Sequence, residues 1–353
     1  MAPDAQVVVR TARFDDDLAA LTGTHGFRVG TIFPADAPHT AVVSGHGVHV
    51  RLEAALEAQP ITLRITRDGA PNATHRLPGG TEIVTAAPTD GYELPPNAPS
   101  LTITHDTGSG AGAPGRAGMR YRDLVPDRWG GRFIASHITI PDGGPVPDYV
   151  HFHKVRFQMI FVKAGWVRVV YEDQGDPFVM HAGDCVLQPP QIRHRVLESS
   201  AGLEVIEIGC PALHTTVADW DLALPNGTGD PARDWDGSRF ARHVAEGAAY
   251  LPWRVPGWEC RDTGIATATV GLAGVRVARP SGAPDARAIA LDTEFALLVV
   301  LRGEVGFESG TVAEVLGEGS SVAIPGGLGH RLVDASPDCE LLDVTLPALQ
   351  QSE

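Results

Sequence analysis

His151 and His153 lie two residues apart in the stretch YVHFHKVRFQMIFVKAG (149–165), Gln158 follows five residues later, and a third histidine, His194, closes the stretch GDCVLQPPQIRH (183–194). On a β-strand, residues two apart project from the same face, so the His-x-His pair presents two imidazoles side by side. Neutral imidazoles with one oxygen donor suit a single divalent transition metal. Iron(II), manganese, nickel, cobalt, copper and zinc all suit this set. Such a ligand set leaves coordination positions open to a substrate or to O2. A lone histidine in a strand is ordinarily packed or exposed; the spaced pair, the polar residue after it and the distant third imidazole together point to a metal. Gln158 reads in two ways, as the fourth ligand or as a hydrogen-bond partner beside a three-histidine metal. As a ligand, an amide brings no negative charge, so the cation stays a stronger Lewis acid and favours an anionic chelating substrate such as an enolate, a carboxylate or an α-hydroxy ketone.

These two stretches resemble the paired motifs of the cupin superfamily, G-x5-H-x-H-x3,4-E-x6-G and G-x5-P-x-G-x2-H-x3-N, over about 95 residues. Three positions depart from them: Gln158 replaces the acidic ligand, Gln191 the second glycine of the second motif, and Glu198 its final asparagine. The resemblance implies a jelly-roll β-barrel holding the metal on His151, His153, Gln158 and His194. Around it, Tyr149 and Arg156 are the candidate catalytic residues. Tyr149 shares a strand face with His151 and could give a hydrogen bond to bound substrate, while the planar fork of Arg156 suits a carboxylate. Arg193 directly precedes His194, so strand alternation sends it to the opposite face. His137 is a candidate hydrogen-bond partner near the site, and His181 reads as exposed. Phe152, Phe157, Phe161 and Trp166 read as barrel packing.

The motif carriers belong to a repeat. Gly183, Pro189 and His194 match Gly319, Pro325 and His330 at a constant offset of 136, and VKAGWVRV (162–169) aligns with VLRGEVGF (300–307) at an offset of 138. Short strands with turn signals every 8–12 residues fill both copies, the pattern of a barrel or sandwich. The second copy places Ile289, Leu291 and Ala296 where the first has its upstream ligands; only His330 remains, so it reads as a metal-free barrel. A bicupin with one metal-bearing and one degenerate barrel resembles ring-cleaving and diketone- or flavonol-cleaving cupins. That resemblance implies a metal-dependent dioxygenase, with iron(II) the first choice of metal, acting on small chelating substrates of the enolate, diketone, catechol or keto-acid kind. A non-redox isomerase or lyase of a sugar acid or keto acid, and a non-enzymatic metabolite-binding barrel, are the alternatives.

The remaining chain must frame these barrels. Residues 1–83 read as β-α-β-β-β, with a helix near Asp15–Leu21 and strands near Gln6–Arg10, Phe27–Phe33, Thr40–Ser44, Val48–Leu52 and Ile61–Ile65. Through FDDDLAALTGTHGFRVGTIFPADAPHTAVVSGHGVHVRLE, this segment resembles one module of the glyoxalase/vicinal-oxygen-chelate superfamily. Of that superfamily's usual metal ligands only Glu53 has a counterpart, so a packing or oligomerisation role is expected. Residues 84–118 are too rich in Pro, Gly and Ala to build a core and read as a linker or wrapping arm. The metal-binding barrel is expected over 119–215, a connection over 216–250 and the degenerate barrel over 251–348. The expected fold is therefore mainly β, two cupin jelly-roll barrels preceded by a small α+β (βαβββ) module.

Composition sets outer limits. The 353 residues include 40 Gly and 28 Pro, which favour short strands and tight turns over long helices. A net charge of −15 disfavours nucleic acid and anionic membrane as partners, leaving a small-molecule substrate, and O2 for a dioxygenase. No apolar run reaches the ~18 residues of a membrane span, and Met1–Arg13 lacks a secretory pattern. Cys185, Cys210, Cys260 and Cys339 have no paired spacing and read as buried thiols of a reducing compartment. A cytoplasmic homodimer is the expectation.

Overall fold

The structure, a computed structural model, describes residues 5–88, 91–106, 112–115, 118–230, 232–282 and 287–349. It is mainly β and forms two compact units, Met1–Asp90 and Gly91–Glu353.

In the first unit, strand Val7–Thr11, helix Phe14–Gly23 and strands Arg28–Phe33, Thr40–Gly45 and Val48–Ala54 follow in β-α-β-β-β order. The first and last strands pair in parallel, so the sheet runs first, fourth, third, second. Asp15, Asp16 and Asp17 crowd the first turn of the helix, where its dipole favours negative charge, and Phe14 and Leu21 turn inward onto Val9, Val43, Val50 and Leu52. A second sheet of Thr62–Thr66, Ala73–Arg76 and Glu82–Ala86 follows. Its last strand runs across residue 83. Ala73–Arg76 is exposed throughout and carries no apolar alternation, so its strand character has no sequence signal. Glu53 is bound by Arg51 at 2.7 Å, and that hydrogen bond holds its carboxyl below the usual range.

The second unit contains two barrels of matching design. In the first, Phe157–Ala164 pairs with Cys185–Leu187 and Leu203–Cys210, and the latter with Ile134–Ile140, inside a seven-stranded sheet. Facing it, Trp166–Tyr171, His194–Ser199 and His151–His153 lie side by side in a six-stranded sheet. The second barrel repeats this plan with Phe295–Arg302 between Ser321–Ile324 and Glu340–Leu346. Registers match as well: Ile160 opposes Glu207 as Leu298 opposes Asp343, at the repeat offsets of 138 and 136.

The seven-stranded sheets of the two barrels share one core. Phe157, Phe161, Ile206 and Ile208 pack with Phe295, Leu297, Val299 and Val344, and Phe133 stacks on Phe295 at 4.2 Å. Each such side chain removed from water is worth roughly 1.5–3 kcal/mol before entropy is charged against it. Strand alternation then divides the labour: one face of each sheet joins the barrels, and the other lines its own barrel.

The segments read as an arm and a connection both contribute strands. Thr102–Thr104 adds to the sheet of the second barrel beside Ser321–Ile324. Thr216–Ala218 pairs with His151–His153, and Ala241–His243 with Cys185–Leu187. The four cysteines are buried free thiols. Among the described residues no helix is long and apolar enough to cross a membrane.

Candidate metal centre

His151 and His153 occupy one three-residue strand, and His194 sits directly opposite His151 on the neighbouring strand. The alternation expected from the spacing therefore holds, and antiparallel pairing adds the third imidazole. One ligand nitrogen from each ring lies within 4.8 Å of the others. The His151 and His194 ring centroids are 4.3 Å apart.

Each ring is fixed by a bond to its Nδ1 side. His151 Nδ1 donates to the Tyr149 carbonyl at 2.8 Å and His194 Nδ1 to the Ile192 carbonyl at 3.0 Å. A carbonyl can only accept, so the proton sits on Nδ1 and Nε2 is the unprotonated, metal-competent nitrogen. His153 Nδ1 is 2.9 Å from the Thr216 hydroxyl, which sets the same orientation. Three imidazoles converging within this span, two of them held in the Nδ1–H tautomer, fit a divalent cation. The carboxylate of Asp148, 3.6 Å from His151 Nδ1, lies behind the ring and favours its ligating orientation further.

The turn that delivers His194 explains one motif departure. Gln191 adopts φ 64°, the left-handed conformation that its counterpart Gly327 takes at φ 77°. The Gln191 backbone N–H donates to the His153 carbonyl at 3.0 Å, which ties the turn to the strand of the histidine pair.

Gln158 lies on the inward face of Phe157–Ala164, the face shared with cavity-lining Ile160. It is 1% exposed, and its Nε2 donates to Glu207 at 2.5 Å. Its Oε1 is buried and meets no hydrogen-bond donor among the described residues. An orphaned buried oxygen costs about 1–3 kcal/mol, so this atom fits the role of an oxygen ligand.

Below the histidines opens a cavity of about 450 Å³. Ile, Val, Leu and Met make up about half of its lining, and beside the three histidines the polar residues include Tyr149, Tyr171, Gln188, Arg195, Glu207 and His214. Tyr171 stacks along His194 at 5.5 Å and 25°, and its hydroxyl accepts a hydrogen bond from Gln188 Nε2 at 2.9 Å. Burial pushes the Tyr171 phenol far above its usual range, so it stays protonated. His214 stands perpendicular to His153 at 5.3 Å. Glu207, Tyr171, Gln188 and His214 escape sequence reasoning because nothing in their local pattern separates them from other inward positions.

Tyr149 reaches the cavity beside His151, its ring against Trp220 at 5.1 Å. Arg156 does not. It precedes Gln158 by two, but the strand begins only at Phe157, so alternation does not carry back to it. Its guanidinium binds Glu294 of the second barrel at 2.9 Å, where Arg132 binds too. His137 likewise turns away, to Glu204 at 2.9 Å and Arg122 at 3.1 Å, because inward positions on its strand are Ile134, Ser136, Ile138 and Ile140. Arg193 points out to Asp219, and His181 is exposed.

In the second barrel, Ile289 bridges His330 as His151 does His194, but the interior is packed by Phe307, Leu298, Leu316 and Leu332. His330 lies against Phe307 where His194 lies against Tyr171.

The family model of the cupin domain matches residues 136–209. That match lies inside the first barrel and speaks for a cupin domain there; the second barrel repeats its strand plan. The chain's fold is similar to that of salicylate 1,2-dioxygenase from Pseudaminobacter salicylatoxidans, at 14% identity and a TM-score of 0.53, covering 71% of this chain and 86% of the other. It is also similar to the putative glyoxylate induced protein from Pseudomonas aeruginosa, at 11% identity and a TM-score of 0.51, covering 75% and 99%. Protein Ylba from E. coli is a third such relative, at 9% identity and 0.51, covering 74% and 96%. These likenesses concern the fold. No curated protein matches the chain in sequence.

Proposed function

We propose that the first barrel is the catalytic barrel of a metal-dependent enzyme acting on a small chelating substrate, a dioxygenase in the first instance. The single observation that carries this reading is the convergence of His151, His153 and His194, each held through Nδ1, on a mostly apolar cavity of about 450 Å³. Gln158 Oε1 would complete the ligand set. The metal, iron(II) as first choice, would supply a Lewis-acidic point that binds adjacent oxygens of an enolate, diketone, catechol or keto acid and admits O2. The chain's own residues do the rest. The apolar wall excludes water around the substrate body, and Tyr149 offers a hydrogen bond beside His151. Tyr171, protonated and oriented by Gln188, offers another near His194. Solved complexes of salicylate 1,2-dioxygenase carry gentisate, which makes gentisate a natural first compound to test.

Metal analysis of the purified chain, followed by O2 uptake with gentisate, catechols, β-diketones and keto acids, tests the reading. Bound iron with substrate-dependent O2 consumption supports it; metal-supplemented protein with no bound metal overturns it. A non-redox isomerase or lyase is the second reading, favoured by the uncharged amide of Gln158, which leaves the cation a stronger Lewis acid. Turnover of a keto acid or sugar acid under anaerobic conditions would select it.

A further inference from the structure

Glu207 is a carboxylate on the inward face of Leu203–Cys210, and it lines the cavity. It accepts the Gln158 amide at 2.5 Å. A carboxylate accepts and does not donate, so the pairing forces the Gln158 NH2 group toward Glu207 and leaves Oε1 facing elsewhere. That Oε1 is buried and meets no donor among the described residues. The two strands bring the pair together through one register: Gln158 opposes Gly209 and Ile160 opposes Glu207.

The repeat supplies an internal control. The counterparts of Gln158 and Glu207 are Ala296 and Asp343. An acidic side chain is present in both barrels, but its company differs. In the second barrel Asp343 accepts from Arg254 at 2.8 Å and from Trp253 Nε1 at 3.2 Å. Where no amide exists to orient, a guanidinium holds the acid; in the barrel with three histidines, the acid holds an amide.

We propose that Glu207 is a positioning residue of the metal centre: it turns Gln158 Oε1 toward the cation and returns, one residue removed, the negative charge that glutamine lacks as a ligand. The inference rests on the metal-centre reading above. Its chemistry is that of a carboxylate behind a neutral ligand, which raises the ligand's electron density and fixes its direction. The centre is then less electron-poor than an isolated amide ligand would make it.

The test uses the full chain, stripped by chelator and titrated with Co(II), read by visible absorbance and by competition for affinity. E207Q keeps shape and removes charge; it should weaken Co(II) binding about 10–100-fold and shift the absorbance bands. Q158E/E207Q moves the carboxylate onto the ligand position and should recover most of the lost affinity. H153A serves as the control for the metal centre itself. Wild-type affinity and spectrum in E207Q, beside lost binding in H153A, overturn the role of Glu207 and leave the metal-centre reading standing. If E207Q misfolds, the double variant decides, and its failure to bind overturns the proposal. A wild-type chain that takes up no Co(II) removes both.

Discussion

His194 and His330 hold the same place in the two barrels: each donates Nδ1–H at 3.0 Å to the carbonyl two residues before it, and each ring lies nearly parallel to an aromatic neighbour. Their surroundings differ. His194 meets two further imidazoles. The Nε2 of His330 is buried and meets no donor or acceptor among the described residues, and burial lowers its pKa, so it sits neutral among Phe307 and aliphatic side chains. The histidine's backbone anchor is thus part of the barrel's architecture, while metal competence depends on what opposes it. Ile289 and Leu291 withhold the pair that His151 and His153 supply.

Removing one imidazole should therefore empty the site without unfolding the barrel. In His153→Ala the strand keeps its backbone pairing with Thr216–Ala218, and the half-buried ring contributes little packing. Elemental analysis should show metal falling to background, while the thermal midpoint of the chelator-treated protein stays within a few degrees of wild type. Retained stoichiometric metal would contradict the assignment.

Thr216→Val should weaken metal binding about tenfold without abolishing it, because the His153 ring loses the hydroxyl at 2.9 Å that orients it. Shape is nearly conserved, so the change in affinity, measured by competition with a chelator, isolates the hydrogen bond. An unchanged affinity would show that His153 is oriented by packing alone.

How far the sequence reaches is visible in these residues. His151, His153 and His194 were legible because a strand of period two and a repeated turn fix their directions whatever the fold around them. Tyr149 lines the cavity although it stands just outside the strand His151–His153, so alternation alone does not account for its placement. Arg156 was not legible: it stands outside the strand, and the partner that captures it, Glu294, is 138 residues away in the other barrel. Glu207 carries no local mark, since its meaning comes only from the register that sets it against Gln158. The strand Thr216–Ala218 carries no sequence signal, because three residues of mixed polarity hold no period, yet it orients one of the three clustered histidines.

Arg156→Ala and Tyr149→Phe should separate the two candidates named from the sequence. Arg156 clamps the barrels through Glu294, with Arg132 on the same carboxylate, so its loss should cost about 1 kcal/mol of stability. kcat/KM should hold near wild type once an assay exists. Tyr149→Phe should do the reverse, lowering kcat/KM with little change in the melting midpoint. A catalytic defect in Arg156→Ala at wild-type stability would return that residue to the site.

The polar cluster between the barrels predicts acid lability of defined sign. Glu204 accepts from His137 and from Lys163, each at 2.9 Å, and Lys163 also reaches Glu318 at 2.8 Å. The His137 hydrogen bond, followed by Lys163, lowers the Glu204 carboxyl to about 2. A carboxyl depressed in the folded state binds its proton more readily when unfolded. Its stabilisation is therefore complete above the unfolded value near 4.5 and lost as pH falls toward 2. The contribution is about 2 kcal/mol after discounting for partial solvent access. Glu204→Gln should thus be less stable than wild type at pH 7 and converge with it near pH 2, measured by denaturant unfolding of metal-free protein. Parallel curves for the two proteins across pH 2–5 would show that Glu204 does not couple the barrels to acid.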